Sequence, residues 1–347
     1  MPENRIILES FSIAHGEVRD VEISLYSIIR NELFFLQAFL DHYRSIGVQQ
    51  FLILDDHSTD GSTEFLKAQN DCVVLSSTYQ FGNRFLSETG NGNRKTVRAG
   101  TLLKSAIPQK YLRGKYSIYA DADEFLVLPP GVTDLRELIE RLKKNNIDCV
   151  AASQVELYPE NLSDLTKKVK PQTLDDILAI SPFFDSGPIV RLVEGAQPKK
   201  CGPSASERLF RRYGVRGGHS MFKWLPDSIL RRLGYSAASS SVFKTPIMKN
   251  SERVHMVGSH MASVPPASSI LLALLHFKFT SEFQNRIEQA LQWRSHSGKG
   301  EKYRNYHLLY KKMARHNGNF FGSSTTKYTG PKALEDSSLM KFGYPNV

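Results

Sequence analysis

The sequence has few cysteines and no long apolar run. Cys72, Cys149 and Cys201 are an odd number and lack C-x-x-C spacing, which argues against a disulfide framework and against a cysteine zinc site. We expect all three to be small buried side chains. The longest nearly continuous apolar segment covers residues 270–279. A membrane-spanning helix needs roughly 20 such residues, so no transmembrane helix is predicted.

A secretory signal, internal repeats and low-complexity tracts are also lacking. Residues 2–5 are followed by mixed polar residues, where a signal peptide has an apolar core and a small-residue cleavage site. A cytoplasmic location is therefore expected. The composition is 41% hydrophobic and 23% charged, which is typical of a globular protein and argues against disorder as the main state.

Acidic residues are in the minority. Lys and Arg outnumber Asp and Glu 45 to 35, and the resulting basic surface attracts phosphate groups of any kind. Basic side chains are concentrated in residues 81–115, where Glu88 is the one acid, and in residues 199–216. The charge leaves nucleic acid, anionic lipid and nucleotide substrates open. For any one Lys or Arg, a solvated face is the simpler interpretation.

Strand and helix patterns alternate through the first half of the chain. Short apolar segments predict strands at 21–29, 51–54, 72–75, 116–120 and 148–152. Apolar residues at helical spacing predict helices at 33–46, 58–68 and 134–145. This order indicates an α/β fold with a mainly parallel, Rossmann-like sheet flanked by helices. Such sheets bind ligands at the carboxyl ends of their strands.

Two acidic clusters follow predicted strands. In YADADEF, Asp121 and Asp123 are two residues apart, and an extended chain would project both to the same side. Oxygen ligands of this kind favour Mg²⁺ or Mn²⁺ over Zn²⁺. In LILDDHSTDGS, Asp55 and Asp56 are adjacent, so we expect one to meet a ligand and the other to brace the loop. A turn or helix cap is the structural alternative.

The order of these motifs resembles glycosyltransferases of the family 2 type, which have the GT-A fold, and in particular a bacterial branch. The matching pieces are SIIRNE, FLDHYRSIGV, FLILDDHSTDGS, YADADEFLV, SERLF, FKTPIMK, HMVGSH and LLHFKFTSEF. They cover residues 24–287 in the expected order. The Glu-Asp and Q-x-x-R-W signatures of better-known family 2 enzymes are absent from this sequence.

The resemblance implies a metal-dependent transferase that moves a sugar from a nucleotide-sugar donor to a glycan or lipid-linked acceptor. It further implies inversion at the anomeric carbon and a role in bacterial surface polysaccharide synthesis. Residues implied to contact the nucleotide are Asn31, Glu32, Asp55, Asp56 and Asp121. The pair Asp121 and Asp123 is implied to bind Mn²⁺ or Mg²⁺, which bridges the diphosphate.

The role of such a cation follows from the reaction. Negative charge builds on the oxygen of the departing nucleoside diphosphate, and a divalent cation stabilises it as a Lewis acid. Further candidates for metal, diphosphate, nucleotide or acceptor contacts are His276, Lys278, His260, Lys95, Arg98 and Arg208. An inverting transfer also needs a general base. Asp185 in SPFFDSGP and Glu207 in SASERLF, both in the presumed acceptor half, are the candidates for that role.

We predict five segments. They are an N-terminal extension (1–20), a nucleotide-sugar-binding half of one GT-A domain (21–155), an irregular acceptor-side half (156–264), C-terminal helices (265–322) and a polar tail (323–347). With a lipid-linked acceptor, the basic stretches would favour peripheral contact with the inner face of the plasma membrane.

Three other functions are compatible with parts of the sequence. A phosphohydrolase can also carry D-x-D after a strand, but normally in the first strand and with Thr or Val where Phe125 stands. A sugar nucleotidyltransferase usually opens with a Gly-rich loop, and SIIRNE contains no Gly. A basic module for nucleic acid or a membrane surface would not explain carboxylates at strand ends, which repel phosphates. We therefore expect no nucleic-acid partner.

Overall fold

The computed structural model describes residues 2–88, 94–167, 170–215, 241–293, 301–316 and 318–343. The helices are α1 (Pro2–Glu9), α2 (Leu33–Ser45), α3 (Ser62–Lys67), α4 (Ala99–Tyr111), α5 (Leu135–Lys144), α6 (Leu174–Ile180), α7 (Ala205–Arg212), α8 (Phe283–Trp293), α9 (Glu301–Arg315) and α10 (Pro331–Asp336). A short 3₁₀ helix spans Leu162–Thr166. None of the helices in these ranges has the length and apolarity needed to cross a bilayer.

The strands alternate with these helices. They are β1 (Phe11–His15), β2 (Ser24–Ile29), β3 (Gln50–Asp55), β4 (Cys72–Ser77), β5 (Arg84–Glu88), β6 (Arg94–Arg98), β7 (Tyr116–Tyr119), β8 (Glu124–Val127), β9 (Cys149–Glu156), β10 (Phe183–Asp185), β11 (Val190–Arg191), β12 (Lys199–Lys200), β13 (Phe243–Lys249), β14 (Met256–Val257), β15 (Met261–Ala262), β16 (Ile270–His276), β17 (Thr325–Lys327) and β18 (Lys341–Phe342).

One central sheet organises the described residues. Its strand order is β1-β4-β3-β2-β7-β13-β9-β16-β18, and β8 pairs with β16. The neighbours β4, β3, β2 and β7 run parallel to one another. These strands are almost entirely buried, as expected where helices cover both faces of a parallel sheet. Their carboxyl ends therefore meet at one edge of the sheet.

Successive side chains of each parallel strand enter different hydrophobic cores. Leu25 packs with α2 and α5 on one face of the sheet, whereas Tyr26 packs with α1 and α4 on the other. This alternation follows from the two-residue period of a strand. A third core joins α7, α8 and α9. The helices that follow the parallel strands are consequently anchored close to the edge where those strands end.

Antiparallel strands extend the sheet in the second half. β13 lies between β7 and β9 and is antiparallel to both. β16 is parallel to β9 and antiparallel to β8. In this register His276, the last residue of β16, is opposite both Glu124 and Glu156. Residues distant in sequence thus arrive beside the loop that carries the D-x-D pair.

The α/β prediction, with a central sheet flanked by helices, is confirmed. The proposed segment boundaries stay a prediction, although β1 in the N-terminal extension pairs with β4, and β18 in the polar tail pairs with β16. The segment predicted as C-terminal helices (265–322) begins differently, since β16 within it is a strand of the central sheet. Residues 216–240 of the acceptor-side segment lie outside the described residues. Cys72 and Cys149 are buried, but the expectation for Cys201 was wrong. Cys201 directly follows the exposed strand β12, where no packed layer covers it.

Candidate functional site

A cavity of about 370 Å³ opens at the carboxyl ends of β2, β3 and β7. Its walls come from the loops after these strands, from α4, from the end of β16 and from α8. The predicted site residues that line it are Asn31, Glu32, Asp56, Arg98, Asp121, Asp123, His260, His276 and Lys278. This is the edge at which open α/β sheets bind ligands.

The D-x-D pair lies in a tight turn between β7 and β8. The Glu124 amide donates to the Asp121 carbonyl over 2.9 Å, so the segment is not the extended chain expected from the sequence. Asp121 and Asp123 still line the same cavity, but their carboxylates meet different partners. The turn separates the two carboxylates and gives each its own cationic neighbours.

The Asp121 carboxylate is held by two lysines and a tyrosine. Lys244 Nζ lies 2.7 Å from Oδ2, Lys104 Nζ lies 3.5 Å from Oδ1, and the Tyr119 hydroxyl donates to Oδ1. Burial alone would raise the pKa of Asp121, but the two ammonium groups outweigh burial and hold the pKa well below its usual value. Asp121 is therefore a carboxylate at neutral pH.

Asp123 faces the C-terminal part of the chain. Its Oδ2 lies 3.0 Å from Arg286 Nη1 and 3.5 Å from His276 Nε2. Burial opposes ionisation, but the charges of Arg286 and His276 lower the pKa of Asp123. Arg286 also places Nη2 at 2.8 Å from Glu32 Oε1. This arginine of α8 thus connects the loop after β2 with the D-x-D turn.

Glu32 behaves differently from the aspartates. Its single cationic partner among the described contacts is Arg286, and the carboxylates of Asp123 and Asp121 lie nearby. Burial, opposed by Arg286 and reinforced by the two aspartates, raises the pKa of Glu32 to about 8. Glu32 is therefore the cavity carboxyl that most readily keeps a proton.

The buried ion pair between Lys244 and Glu124 supports the D-x-D turn. Glu124 is 1% exposed and accepts from Lys244 and, over 2.6 Å, from Gln154 Nε2. Its Oε2 also accepts from the Asp121 amide at 3.0 Å. Lys244 has no exposed surface and sits over the Tyr119 ring, 4.7 Å from the ring centroid. These contacts satisfy Glu124 and fix the backbone of the D-x-D turn.

The adjacent acids Asp55 and Asp56, at the end of β3, point in opposite directions. Asp56 lines the cavity, and its Oδ1 accepts from the Phe81 amide at 2.9 Å. Burial raises the pKa of Asp56. The Asp55 carboxylate instead accepts from the Ser58 amide and, over 2.6 Å, from the Thr63 hydroxyl. Asp55 does not line the cavity and braces the loop that leads into α3.

Lys278 forms an ion pair with the buried Glu156 beside the cavity. Its ammonium donates to Glu156 Oε1, and the Ser206 amide donates to Oε2 over 2.6 Å. Burial would raise the pKa of Glu156, but Lys278 outweighs it, and the pKa is lowered to about 2. The pair joins β9, the segment after β16 and the start of α7.

Replacing Glu156 with Gln should remove a pH-dependent part of the stability. Because the pKa of Glu156 falls from 4.5 to about 2 on folding, its contribution is fully present above about pH 4.5 and is lost as the pH falls towards 2. We expect Glu156→Gln to be less stable than the parent at neutral pH. The difference should shrink by about 2–3 kcal/mol as the pH falls through this range.

Urea denaturation from about pH 7 to pH 3 measures this difference in the free energy of unfolding. Glu64→Gln, at an exposed position of α3, is the matched control. A difference between Glu156→Gln and the parent that stays constant over the whole pH series would contradict the prediction.

The two candidate bases lie elsewhere. Asp185, at the end of β10, accepts from Arg208 Nε at 2.7 Å and from the Tyr158 hydroxyl at 2.5 Å. Glu207, in the first turn of α7, is paired with Lys200. Neither carboxylate lines the cavity, and Arg208 does not line it either. The Lys95 side chain falls outside the described residues, although its backbone belongs to β6.

Sequence reasoning missed several residues that shape the site. They are Lys104, Glu124, Gln154, Lys244 and Arg286. Lys104 belongs to the basic stretch 81–115, and Lys244 to the FKTPIMK piece, but a lysine beside apolar residues is equally common at a surface. No pattern within α8 distinguishes Arg286 from its neighbours. Only the positions of β13 and β16 in the central sheet bring Lys244 and Arg286 to the D-x-D turn.

A divalent cation fits the chemistry of this cavity if it binds together with a phosphate-bearing ligand. The carboxylates of Asp121 and Asp123 and the imidazole of His276 line the cavity, and His276 Nδ1 is buried without a hydrogen-bond partner among the described residues. In the part of the chain that is described, no three ligating side chains form a metal-binding group. Mg²⁺ is typically held by one or two carboxylates together with substrate phosphates. The residues therefore suit a cation that binds together with a phosphate-bearing ligand.

Comparisons with known proteins give no family assignment. No protein-family model and no curated protein matches this sequence. Among solved structures, TarS from S. aureus is similar at 13% identity and a TM-score of 0.31 over 57% of this chain. The chain spans 30% of the length of TarS.

Two further solved structures describe UDP-glucose pyrophosphorylases. UTP-bound UGPase from Acinetobacter baumannii matches at 10% identity and a TM-score of 0.28, over 92% of both chains. A UDP-glucose pyrophosphorylase complexed with UDP-glucose matches at 10% identity and a TM-score of 0.24, over 65% of this chain and 92% of the other. TM-scores this low do not establish a common fold, and no functional assignment rests on them.

Proposed function

We propose that this chain is a glycosyltransferase that uses a nucleotide-sugar donor and a glycan or lipid-linked acceptor. The observation that carries the proposal is the cavity at the carboxyl ends of parallel strands. The D-x-D carboxylates line it together with three cationic side chains, the buried Lys104 and the partly buried Lys278 and Arg286. This combination suits a ligand that has a diphosphate and a sugar, because phosphates need cations and sugar hydroxyls pair with carboxylates.

We further propose that Mn²⁺ or Mg²⁺ binds together with the donor at Asp121 and Asp123, beside His276. Such a cation would stabilise charge on the departing diphosphate as a Lewis acid. The chain's own residues orient this edge. Arg286 connects Glu32 with Asp123, and Lys244 fixes the D-x-D turn through Asp121 and Glu124. The cavity walls then hold the donor in one orientation, which lowers the entropic part of the barrier.

The resemblance to family 2 supports two finer proposals, inversion at the anomeric carbon and a role in bacterial surface polysaccharide synthesis. The basic stretches 81–115 and 199–216, together with a lipid-linked acceptor, support a last one, a cytoplasmic location with peripheral contact at the inner face of the plasma membrane. The first can be tested by NMR analysis of the anomeric configuration of the product. The last can be tested by sedimentation with anionic lipid vesicles, where binding should weaken as salt rises.

A calorimetric screen of nucleoside diphosphates tests the main proposal. We expect at least one of UDP, GDP, dTDP or ADP to bind the protein in the presence of Mn²⁺ and to bind less tightly in a chelator. The corresponding nucleotide sugar should then release that diphosphate slowly, and faster once an acceptor is added. Absence of binding by every nucleotide in the screen would refute the proposal.

The same preparation separates the alternatives. Phosphate release from a simple phosphate ester would favour the phosphohydrolase. Formation of a nucleoside triphosphate from a nucleotide sugar and pyrophosphate would favour the nucleotidyltransferase. Salt-sensitive binding of nucleic acid that does not depend on metal would favour the binding module. We expect none of these three activities.

A further inference from the structure

Lys104 is a buried cation whose position the proposed function does not yet explain. It belongs to α4, is 4% exposed, and lines the cavity at the end of β7. A lysine at this level of burial is rare unless it is paired. The contacts of its ammonium group therefore indicate which partner this group binds.

Those contacts leave the ammonium group only partly satisfied. The single hydrogen-bond acceptor near it among the described residues is Asp121 Oδ1, at 3.5 Å, which is at the outer limit of a hydrogen bond. Its other neighbours are aromatic: Nζ lies 4.6 Å from the Tyr119 ring centroid and 5.7 Å from that of Phe81. Cation–π contacts stabilise the charge but do not use N–H donors in directed bonds. An ammonium group has three such donors.

A purely structural role is already filled by Lys244. Its Nζ lies 2.7 Å from Asp121 Oδ2 and also pairs with Glu124. Lys244 is fully buried and does not line the cavity. The two lysines thus approach the same carboxylate from different sides. Lys244 makes the close ion pair, whereas Lys104 faces the open space with donors to spare.

The partner that would satisfy Lys104 is an anion with several oxygens. An ammonium group can donate but not accept, and Asp121 already has closer partners. Arg98 adds a second cation at the same wall, since it lines the cavity and lies 5.4 Å from the Phe81 ring centroid. The wall around Phe81 therefore presents two positive charges to one region of the cavity. A phosphate or diphosphate group is the oxygen-rich anion that matches it.

We propose that Lys104 binds the diphosphate of the donor and stabilises it as it departs with the nucleoside. This assignment rests on the proposed function and adds the residue that contacts the leaving group directly. In the transfer, the acceptor hydroxyl oxygen bonds to the anomeric carbon, and its proton passes to a base, which water can supply. The bond from that carbon to the diphosphate oxygen breaks, and its electron pair stays on the diphosphate oxygen. Lys104 donates hydrogen bonds to the resulting phosphate charge without giving up its proton.

Calorimetry with inorganic pyrophosphate and with UDP, in the presence of Mg²⁺, tests this assignment. Lys104→Met keeps the apolar stem and removes the charge, and Lys67→Met, at an exposed position of α3, is the matched control. Loss of one charge-assisted contact should weaken the binding of pyrophosphate by about 10- to 100-fold. The control should bind as the parent does. Thermal unfolding of each variant shows that it is folded, and Lys104→Gln replaces the Met variant if that one is not.

The possible results distinguish this inference from the proposed function. If the parent binds neither pyrophosphate nor any nucleoside diphosphate, the proposed function fails. If the parent binds them and a folded Lys104 variant binds them equally tightly, the Lys104 assignment is overturned and the proposed function stands. Weaker binding by both the Lys104 and the Lys67 variants would show a general charge effect and would also overturn the assignment.

Discussion

Replacing both Asp121 and Asp123 with Asn should lower the rate of donor turnover by roughly 10²- to 10³-fold. This is the usual loss when a group that stabilises transition-state charge is removed. Under the proposed function, these carboxylates are the ligands that the protein supplies to the cation. Asn keeps the shape of each side chain but has no negative charge. The cavity carboxyls Glu32 and Asp56 are poor replacements, because burial raises the pKa of both and so disfavours their charged forms.

The fold should survive this double substitution. Lys244 keeps Glu124 as a partner, and Arg286 keeps Glu32. Lys104 loses its charged partner, but it faces the cavity and keeps its contacts with the Tyr119 and Phe81 rings. Turnover is measured as release of the nucleoside diphosphate identified in the calorimetric screen. Asp175→Asn, at an exposed position of α6, is the matched control and should retain the parent rate. A folded double variant that turns over the donor within about threefold of the parent would remove the D-x-D pair from the proposal.

Replacing Lys244 with Met should lower the free energy of unfolding by about 3–5 kcal/mol, the usual cost of removing one partner of a buried ion pair. Glu124 is 1% exposed and would keep only Gln154 and the Asp121 amide as donors. A carboxylate in that environment must either stay charged without a cation or take up a proton. Both outcomes destabilise the folded state.

Urea denaturation measures this loss, and Lys143→Met is the control. Lys143 pairs with Glu140 and Glu22 at the exposed end of α5, so its loss should cost no more than about 1 kcal/mol. Adding Glu124→Gln to Lys244→Met should recover part of the stability, because the unpaired carboxylate is then gone. If both lysine variants lose the same amount, Lys244 is not the central support of the turn.

The local elements of the first half are determined by nearby residues. The helix predicted at 33–46 is α2 (Leu33–Ser45), and it ends where Gly47 takes a left-handed backbone angle of φ +103°. The strand predicted at 51–54 is the centre of β3. Apolar periodicity and turn residues decide such elements over a few positions, so a single sequence carries enough information.

The acidic side of the cavity could also be predicted. Parallel strands place their carboxyl ends at one edge, so acids that directly follow β3 and β7 had to lie near each other. Alternation along the chain separated Asp55, which braces a loop, from Asp56, which lines the cavity. The direction of each carboxylate in the D-x-D turn was not predictable, because a tight turn replaced the assumed extended segment.

The sequence by itself determined the α/β class, the strand ends and the carboxylates that follow them, because each depends on residues within about ten positions. Tertiary structure alone decided which cations meet those carboxylates. Lys244 and Arg286 reach the D-x-D turn from 123 and 163 residues away. They do so because β13 pairs with β7 and because α8 follows β16. The tertiary structure also placed Asp185 and Glu207 outside the cavity, because their ion pairs depend on packing that no local pattern encodes.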